Sequence, residues 1–96
     1  MKEKQLIIRG ITTNKGKTFD QYTVYFYNNL CLTMSANPDS PQGVSQLSEY
    51  FGINDLDFEE AVIEGKKING CETIINWFDL PSIVQAHVEK RIKMME

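Results

Sequence analysis

The chain has 96 residues, 42% of them hydrophobic and 24% charged, which predicts a single globular domain over residues 1–96 with one small core. Ten Lys and Arg against thirteen Asp and Glu give a formal charge of -3, which argues against binding nucleic acid through many phosphate contacts. No apolar run approaches the roughly 18 residues of a membrane helix, and the N-terminus lacks a signal-peptide core, so we expect a cytoplasmic protein with no membrane contact.

The first third of the chain is rich in β-branched and aromatic residues, which favour strands over residues 6–13, 19–27 and 30–34. Residues 14–17 (Asn-Lys-Gly-Lys) predict a turn, because Asn and Gly can take positive φ. Asn28-Asn29 fits a tight type I′ hairpin before the third strand. Together these segments predict a three-stranded antiparallel meander.

Side chains alternate between the two faces of the second predicted strand. Val24 and Phe26 share one face, and Tyr25 and Tyr27 share the other. We expect the Tyr face to be half exposed, because a phenol tolerates water at its tip. In the third strand Cys31 lies between two leucines, where cysteine is usually a small core residue.

Residues 35–43 form a loop that is rich in turn-forming residues and holds two of the three prolines. Ser40 before Pro41 fits a helix N-cap followed by proline at the first helical position. Apolar residues then recur at helical spacing over 44–51. The pattern predicts a short helix whose N-terminus lies near Gly43.

Residues 53–70 allow two interpretations. One is a helix to about Ile63, with acidic residues in its first turn. The other is a strand over 61–68 that turns at Asn69-Gly70 into a further strand at 73–77, since Asn-Gly is a strong hairpin signal. We favour the helix, followed by a hairpin or extended segment around Asn69-Gly70.

A C-terminal amphipathic helix is predicted to start at Asp79-Leu80-Pro81. At roughly 100° per residue one broad apolar stripe forms, made of Leu80, Ile83, Val84, Val88, Ile92 and Met95. The polar residues opposite are Ser82, Gln85, Glu89 and Lys93. The fold class predicted is therefore α+β, with an antiparallel sheet of three to five strands packed by two or three helices.

Few side chains suit catalysis, since the chain has two cysteines and one histidine. Cys31 or Cys71 with His87 has the residue types of a thiol–imidazole pair, but no cysteine motif surrounds either residue. The acidic and glycine residues fit neither a calcium loop nor a phosphate-binding loop. We expect no catalytic residue, no metal site and no cofactor.

Polar side chains are dense where the loop meets the predicted helix N-terminus, whose free N–H groups favour anions. This candidate binding set is Asn37, Asp39, Ser40, Gln42 and Gln46. The alternative is a self-satisfied loop in which its first three members hydrogen-bond their own backbone.

The final helix places Arg91 near the centre of the apolar stripe and His87 near its edge. A charge there must reach solvent, pair with an acid or face a partner. Either the helix extends beyond the core, so that Arg91 lies at the rim of the core, or this face of the helix is an interface with a partner. In the second case Met94 and Met95 would suit an adaptable contact surface, including that of a homodimer.

Three motifs occur in an order that resembles a family of small uncharacterised proteins of phages and mobile elements. They are a Tyr-Thr-Val strand at 22–24, the loop Met-Ser-Ala-Asn-Pro-Asp-Ser-Pro-Gln-Gly at 34–43, and Asp-Leu-Pro at 79–81. Residues 51–71 depart from the pattern and look like an insertion. The resemblance implies a cytoplasmic accessory protein of a phage or mobile element and no particular activity.

The function we expect first is a non-catalytic protein-interaction module with a host or phage partner. Its contact surface would be the loop 37–46 or the helix face around His87 and Arg91. One alternative is a small protein or enzyme that binds an anion or metabolite at the helix N-terminus near Gly43. Another is an acidic mimic of nucleic acid, because residues 39–64 hold acidic but no basic side chains.

Overall fold

The structure is a computed structural model that describes residues 7–16, 19–27, 30–49 and 73–95. Five strands form one antiparallel sheet in the order β4-β3-β2-β1-β5. The strands are β1 (Ile8–Thr13), β2 (Tyr22–Phe26), β3 (Leu30–Met34), β4 (Ser45–Glu49) and β5 (Thr73–Ile75). A 3-10 turn at Trp77–Asp79 leads into the helix α1 (Ser82–Met95), which completes an α+β fold.

The predicted N-terminal meander is confirmed, because β1, β2 and β3 are adjacent and antiparallel. One row of apolar side chains crosses all five strands through consecutive pairs: Leu47, Leu32, Val24, Ile11 and Ile75. This row belongs to the sheet face on which the core residues Leu80, Val84 and Val88 pack. We call it the inner face.

The Tyr face of β2 is the outer face, as predicted. Val24 and Phe26 are buried on the inner face, whereas Tyr25 is half-buried and Tyr27 is exposed. The two-residue period of a strand therefore decides which side chains join the core.

The turn between β1 and β2 is confirmed, with Gly16 at positive φ as expected, but the second such residue differs from the expectation. This residue is Lys15 (φ 58°), next to Gly16 (φ 81°), and not Asn14. Asn14 is buried, and its Oδ1 accepts the Gly16 N–H at 3.0 Å. This local hydrogen bond moves the left-handed conformation to the two following residues.

The helix predicted over 44–51 is wrong, because Ser45–Glu49 is a strand that pairs with β3. The apolar spacing fits a helix, but two serines in five residues give little helix preference. The apolar strand β3 also needs a neighbour on each side to satisfy its backbone groups. Tertiary pairing therefore overrides the local pattern.

The C-terminal helix is confirmed, and four members of its predicted apolar stripe (Leu80, Val84, Val88 and Ile92) lie in or against the core, but Ile83 does not. Val84 and Val88 are fully buried, whereas Ile83 is 49% exposed and His87 only 5%. Leu80, Val84 and Val88 follow one another along one side of the helix and pack on the sheet. Since Ile83 lies about 100° around the helix from Val84, it points away from the core.

Several predictions lie outside the described residues. They are the Asn28-Asn29 hairpin, the helix to Ile63, the Asn69-Gly70 turn and Cys71 with the acidic residues 55–60. In the ranges that the structure describes, α1 is the one α-helix, against the two or three predicted. No helix in these ranges is long and apolar enough to cross a membrane.

Candidate functional site

The loop between β3 and β4, residues 35–44, is closed at its base by two hydrogen bonds. The Ser35 N–H donates to the Val44 carbonyl oxygen at 3.0 Å, and the Val44 N–H donates to Ser35 Oγ at 2.9 Å. Ser35 is only 1% exposed, so its side chain belongs to the core boundary. Both ends of this β3–β4 loop are therefore anchored to the sheet.

Ser40 stabilises the interior of the loop instead of capping a helix. Its N–H and its Oγ–H both donate to the Asn37 carbonyl oxygen, at 3.3 and 3.1 Å. The Ser40 carbonyl oxygen accepts the Gly43 N–H at 2.9 Å. For Ser40 the self-satisfied interpretation of the loop is confirmed, and its predicted N-cap role is wrong.

Gly43 is required by a close approach between two parts of the loop backbone. A Cβ atom at this position would lie 2.2 Å from the Asn37 carbonyl oxygen and 2.9 Å from the Pro38 carbonyl carbon. No helix begins here, so the anion site predicted at a helix N-terminus near Gly43 has no structural basis. The role of this glycine is to allow a compact loop.

A chain of three polar side chains connects this loop to the helix and the sheet. His87 Nδ1 on α1 lies 2.8 Å from Asp39 Oδ1 at the crest of the loop. On the other side of the ring, His87 Nε2 lies 2.6 Å from Ser45 Oγ at the start of β4. We call this set the Asp39–His87–Ser45 cluster.

The ionised Asp39 determines which ring nitrogen of His87 carries a proton. The hydrogen bond from His87 is the largest cause that lowers the pKa of the Asp39 carboxyl below its ordinary value, partial desolvation opposes it, and Lys90 adds to the lowering. An ionised carboxylate can only accept hydrogen bonds, so Nδ1 carries the hydrogen. In the neutral imidazole, Nε2 is then an acceptor for the Ser45 hydroxyl.

The cluster runs from solvent to the interior. Asp39 is exposed and also lies 3.4 Å from Lys90 Nζ, one helical turn after the histidine. His87 is 5% exposed and Ser45 is half-buried. A buried imidazole without partners would be costly, so the two hydrogen bonds account for its place beside the core.

Ser45 also lies on the outermost strand among the residues that the structure describes. Because the Ser35 N–H donates to the Val44 carbonyl oxygen, Ser35 and Val44 form a hydrogen-bonded pair of the β3–β4 ladder. Along an antiparallel ladder, such pairs alternate with pairs that are not hydrogen-bonded. Gln46 and Ser48 therefore bond to β3. The backbone N–H groups of Ser45, Leu47 and Glu49 point away from β3, toward the side of β4 on which no described strand pairs with it.

The cluster brings together two of the predicted site residues, Asp39 and His87. Three more, Asn37, Gln42 and Gln46, are exposed around the same loop and strand. Arg91 is half-buried one turn beyond His87, which agrees with a position at the rim of the core. Within the described ranges, Arg91 makes none of the cluster's hydrogen bonds.

The sequence does not identify Ser45 as a site residue, because the apolar spacing of this segment predicts a helix. The residue types of the cluster are visible in the sequence, but its hydrogen bonds join residues 42 and 48 positions apart. The spacing therefore carries no signal of a shared site. Pairing Ser45 with β3 on the inner face is what brings its side chain to α1.

Cys31 cannot pair with His87, because it lies on the outer face of the sheet. It alternates with the core residue Leu32, and the helix packs on the opposite side. Burial raises the pKa of the Cys31 thiol, which disfavours a reactive thiolate. The partner for His87 is thus a serine hydroxyl and not this thiol.

Neither a metal-binding group of side chains in the described ranges nor a similar protein points to a ligand. Within residues 7–16, 19–27, 30–49 and 73–95, no group of three or more His, Cys, Asp or Glu side chains is placed to hold a metal ion. The resemblance to phage and mobile-element proteins stays a prediction. Compared with protein-family models, with curated proteins and with solved structures, the chain shows no match.

Proposed function

We propose that this protein is an interaction module that binds an extended segment of a partner protein along the β3–β4 loop and the edge of β4 that faces away from β3. The observation that carries the proposal is a polar loop held rigidly beside a strand edge with outward N–H groups. The resemblance to phage and mobile-element proteins favours a partner from a phage or its bacterial host.

Rigidity of the loop supports a binding role. Its base is closed by Ser35 and Val44, and its crest is held to the helix through Asp39 and His87. A loop that is already ordered loses little conformational entropy when a partner binds. The structure therefore presents a surface that is ready for contact.

The exposed side chains of this surface suit a polar partner. Asn37 and Gln42 on the loop and Gln46 on β4 all carry amides, each of which both donates and accepts hydrogen bonds. Such groups can bind the backbone of an extended segment. Exposed loops on a rigid scaffold commonly carry recognition in this way.

The edge of β4 supplies the second half of the surface. The N–H groups of Ser45, Leu47 and Glu49 repeat at the spacing of a β ladder, so an added strand can pair with them. Addition of a strand to a sheet edge is a general mode of peptide recognition. Main-chain hydrogen bonds would give affinity, and the loop amides would select the partner.

The first test removes the loop amides. In the double variant Asn37→Ala, Gln42→Ala both side chains are exposed, so the free energy of unfolding should change by less than about 0.5 kcal/mol. A partner captured from bacterial or phage-infected lysate by the wild type, identified and then purified, should bind the variant at least about tenfold more weakly. Glu89→Ala, on the exposed side of α1, is the matched control and should bind like the wild type.

Two outcomes would contradict this part of the proposal. If the double variant has both a lower melting temperature and a lower affinity for the partner, the loop amides are needed for the fold and not for contact. If the control loses as much affinity as the double variant, the partner contacts a different surface.

The second test addresses the edge by itself. Glu49→Pro removes an outward N–H but no hydrogen bond to β3, so stability should be retained and affinity should fall about 2- to 10-fold. Ser48→Pro removes a hydrogen bond to β3 and should lower the melting temperature clearly. Unchanged affinity in a folded Glu49→Pro variant would exclude strand addition at this edge.

A further inference from the structure

We propose that Ser45 is an activated nucleophile, and that the protein accepts acyl groups from small activated carboxylic esters at this residue and hydrolyses them. The inference goes beyond partner binding and does not depend on it. It rests on the geometry of the Asp39–His87–Ser45 cluster.

The carboxylate of Asp39, the imidazole of His87 and the hydroxyl of Ser45 follow one another in the order that activates a hydroxyl. The carboxylate lies 2.8 Å from His87 Nδ1, and the hydroxyl lies 2.6 Å from Nε2 on the opposite side of the ring. The carboxylate keeps the hydrogen on Nδ1, so the lone pair of Nε2 faces the Ser45 hydroxyl. Carboxylate, imidazole and hydroxyl in this order form the arrangement that activates serine in acyl transfer on unrelated folds.

Three separate elements hold the groups in this geometry. The loop carries Asp39, the helix carries His87 and the strand carries Ser45, so no local turn forces them together. The histidine is 5% exposed, which limits competition from water for its hydrogen bonds. Among the described residues, His87 is the one hydrogen-bond partner of Ser45 Oγ, which leaves a lone pair of that oxygen available for attack.

The nucleophile has a donor beside it for the charge that develops during the reaction. The Ser45 N–H points away from β3, toward the side of β4 on which no described strand pairs with it. A backbone N–H next to the attacked carbonyl can stabilise the oxyanion of a tetrahedral intermediate. This side of β4 is therefore the one from which an ester would approach.

The proposed reaction balances without a cofactor. Ser45 Oγ attacks the ester carbonyl carbon, its proton passes to His87 Nε2, and the carbonyl electrons move to the oxygen. The intermediate collapses, and the alcohol leaves with the proton from Nε2, which forms an acyl ester on Ser45. Water then attacks this ester with His87 as base, releasing the carboxylic acid and the free serine.

The test uses the whole protein and a fluorophosphonate probe, which phosphonylates an activated serine and releases fluoride. We expect labelling at Ser45, located by mass spectrometry of the digested protein, together with hydrolysis of p-nitrophenyl acetate. Ser45→Ala should lose both signals. Ser48→Ala, a serine of the same strand on the outer face, should keep both.

Asp39→Asn tests the positioning of the imidazole in a variant that should fold, since this side chain is exposed. The amide no longer keeps the hydrogen on Nδ1, and we expect labelling to slow by about 100- to 10,000-fold. The melting temperature of each variant is measured to separate lost activation from lost fold. Glu89→Ala, on the exposed side of α1, should still be labelled. Labelling is measured without a partner, so a failure of partner binding remains distinguishable from a failure here.

The proposal is overturned if folded wild-type protein is not labelled, or if the label is found on a different residue. Equal labelling of the wild type and Ser45→Ala would overturn it as well. In each case the cluster would serve only to tie the loop to the helix and the sheet.

Discussion

Gly43→Ala is the substitution that tests most directly how the β3–β4 loop is built. The new Cβ would lie 2.2 Å from the Asn37 carbonyl oxygen and 2.9 Å from the Pro38 carbonyl carbon, whereas ordinary contacts are 3.4 Å or longer. Both neighbours are backbone atoms and cannot rotate away. The Asn37-Pro38 segment must therefore move by about 1 Å, and it carries Asp39 with it.

The size of the effect follows from two opposing contributions. Overpacking of this kind costs about 1–3 kcal/mol, while Gly to Ala stabilises by about 0.4–1 kcal/mol through the unfolded chain. The midpoints of the two ranges give a net loss of about 1.3 kcal/mol. For a domain of this size that corresponds to a fall of roughly 5–10 °C in melting temperature.

The assay combines thermal unfolding with NMR of the imidazole. Since His87 is the single histidine, its ring signals need no assignment by mutation. We expect Gly43→Ala to change the Nδ1 hydrogen signal, because displacement of Asp39 weakens the 2.8 Å contact. Gly16→Ala is the control, since φ +81° also strains alanine there but the site lies in a different turn.

Two results would refute this reasoning. If Gly43→Ala is as stable as the wild type, the close approach at the loop crest does not exist. If both glycine variants lose stability but both keep the wild-type imidazole signals, the packing of Gly43 does not position Asp39.

Two further predictions concern the ion pair and the helix face. Because the hydrogen bond from His87 lowers the pKa of Asp39 in the folded state, the carboxylate stabilises the fold above its ordinary pKa of about 4, and this contribution is lost as the pH falls through the lowered folded value. The melting temperature of the wild type should therefore exceed that of Asp39→Asn near neutral pH and converge with it in acid, and a constant difference would contradict this. Val88→Ala should lower the free energy of unfolding, measured in urea, by about 2 kcal/mol, and Ile83→Ala should lower it by less than about 0.5 kcal/mol, because of the two only Val88 is fully buried. Equal losses would mean that Ile83 contributes to the core.

The elements that the sequence predicts well are those whose pattern is decided locally. In β2 the alternation of Val24 and Phe26 with Tyr25 and Tyr27 fits a strand with one buried face, and no other part of the chain is needed to recognise it. The C-terminal helix is likewise visible from its apolar period. The edge of its buried stripe is not, because Ile83 and His87 lie only about 40° apart around the helix. Packing against the sheet decides that His87 is buried and Ile83 is not.

Residues 44–49 show where local pattern stops being sufficient. Their two apolar residues, Val44 and Leu47, lie three positions apart as in a helix, and the segment lacks the apolar–polar alternation of a half-buried strand. The free hydrogen-bonding groups of β3 nevertheless pair with this segment, and they become available only once the meander has formed. The predicted helix N-terminus and its anion site fail for this reason.

By itself the sequence determines the class of fold, the meander, the final helix and the polar character of the loop, since these depend on composition and on short-range periodicity. It also identifies Asp39 and His87 as candidate site residues. Only the tertiary structure decides that they meet each other and Ser45. The physical reason is that hydrogen bonds between residues 42 and 48 positions apart depend on strand register and helix rotation, which result from packing of the whole domain.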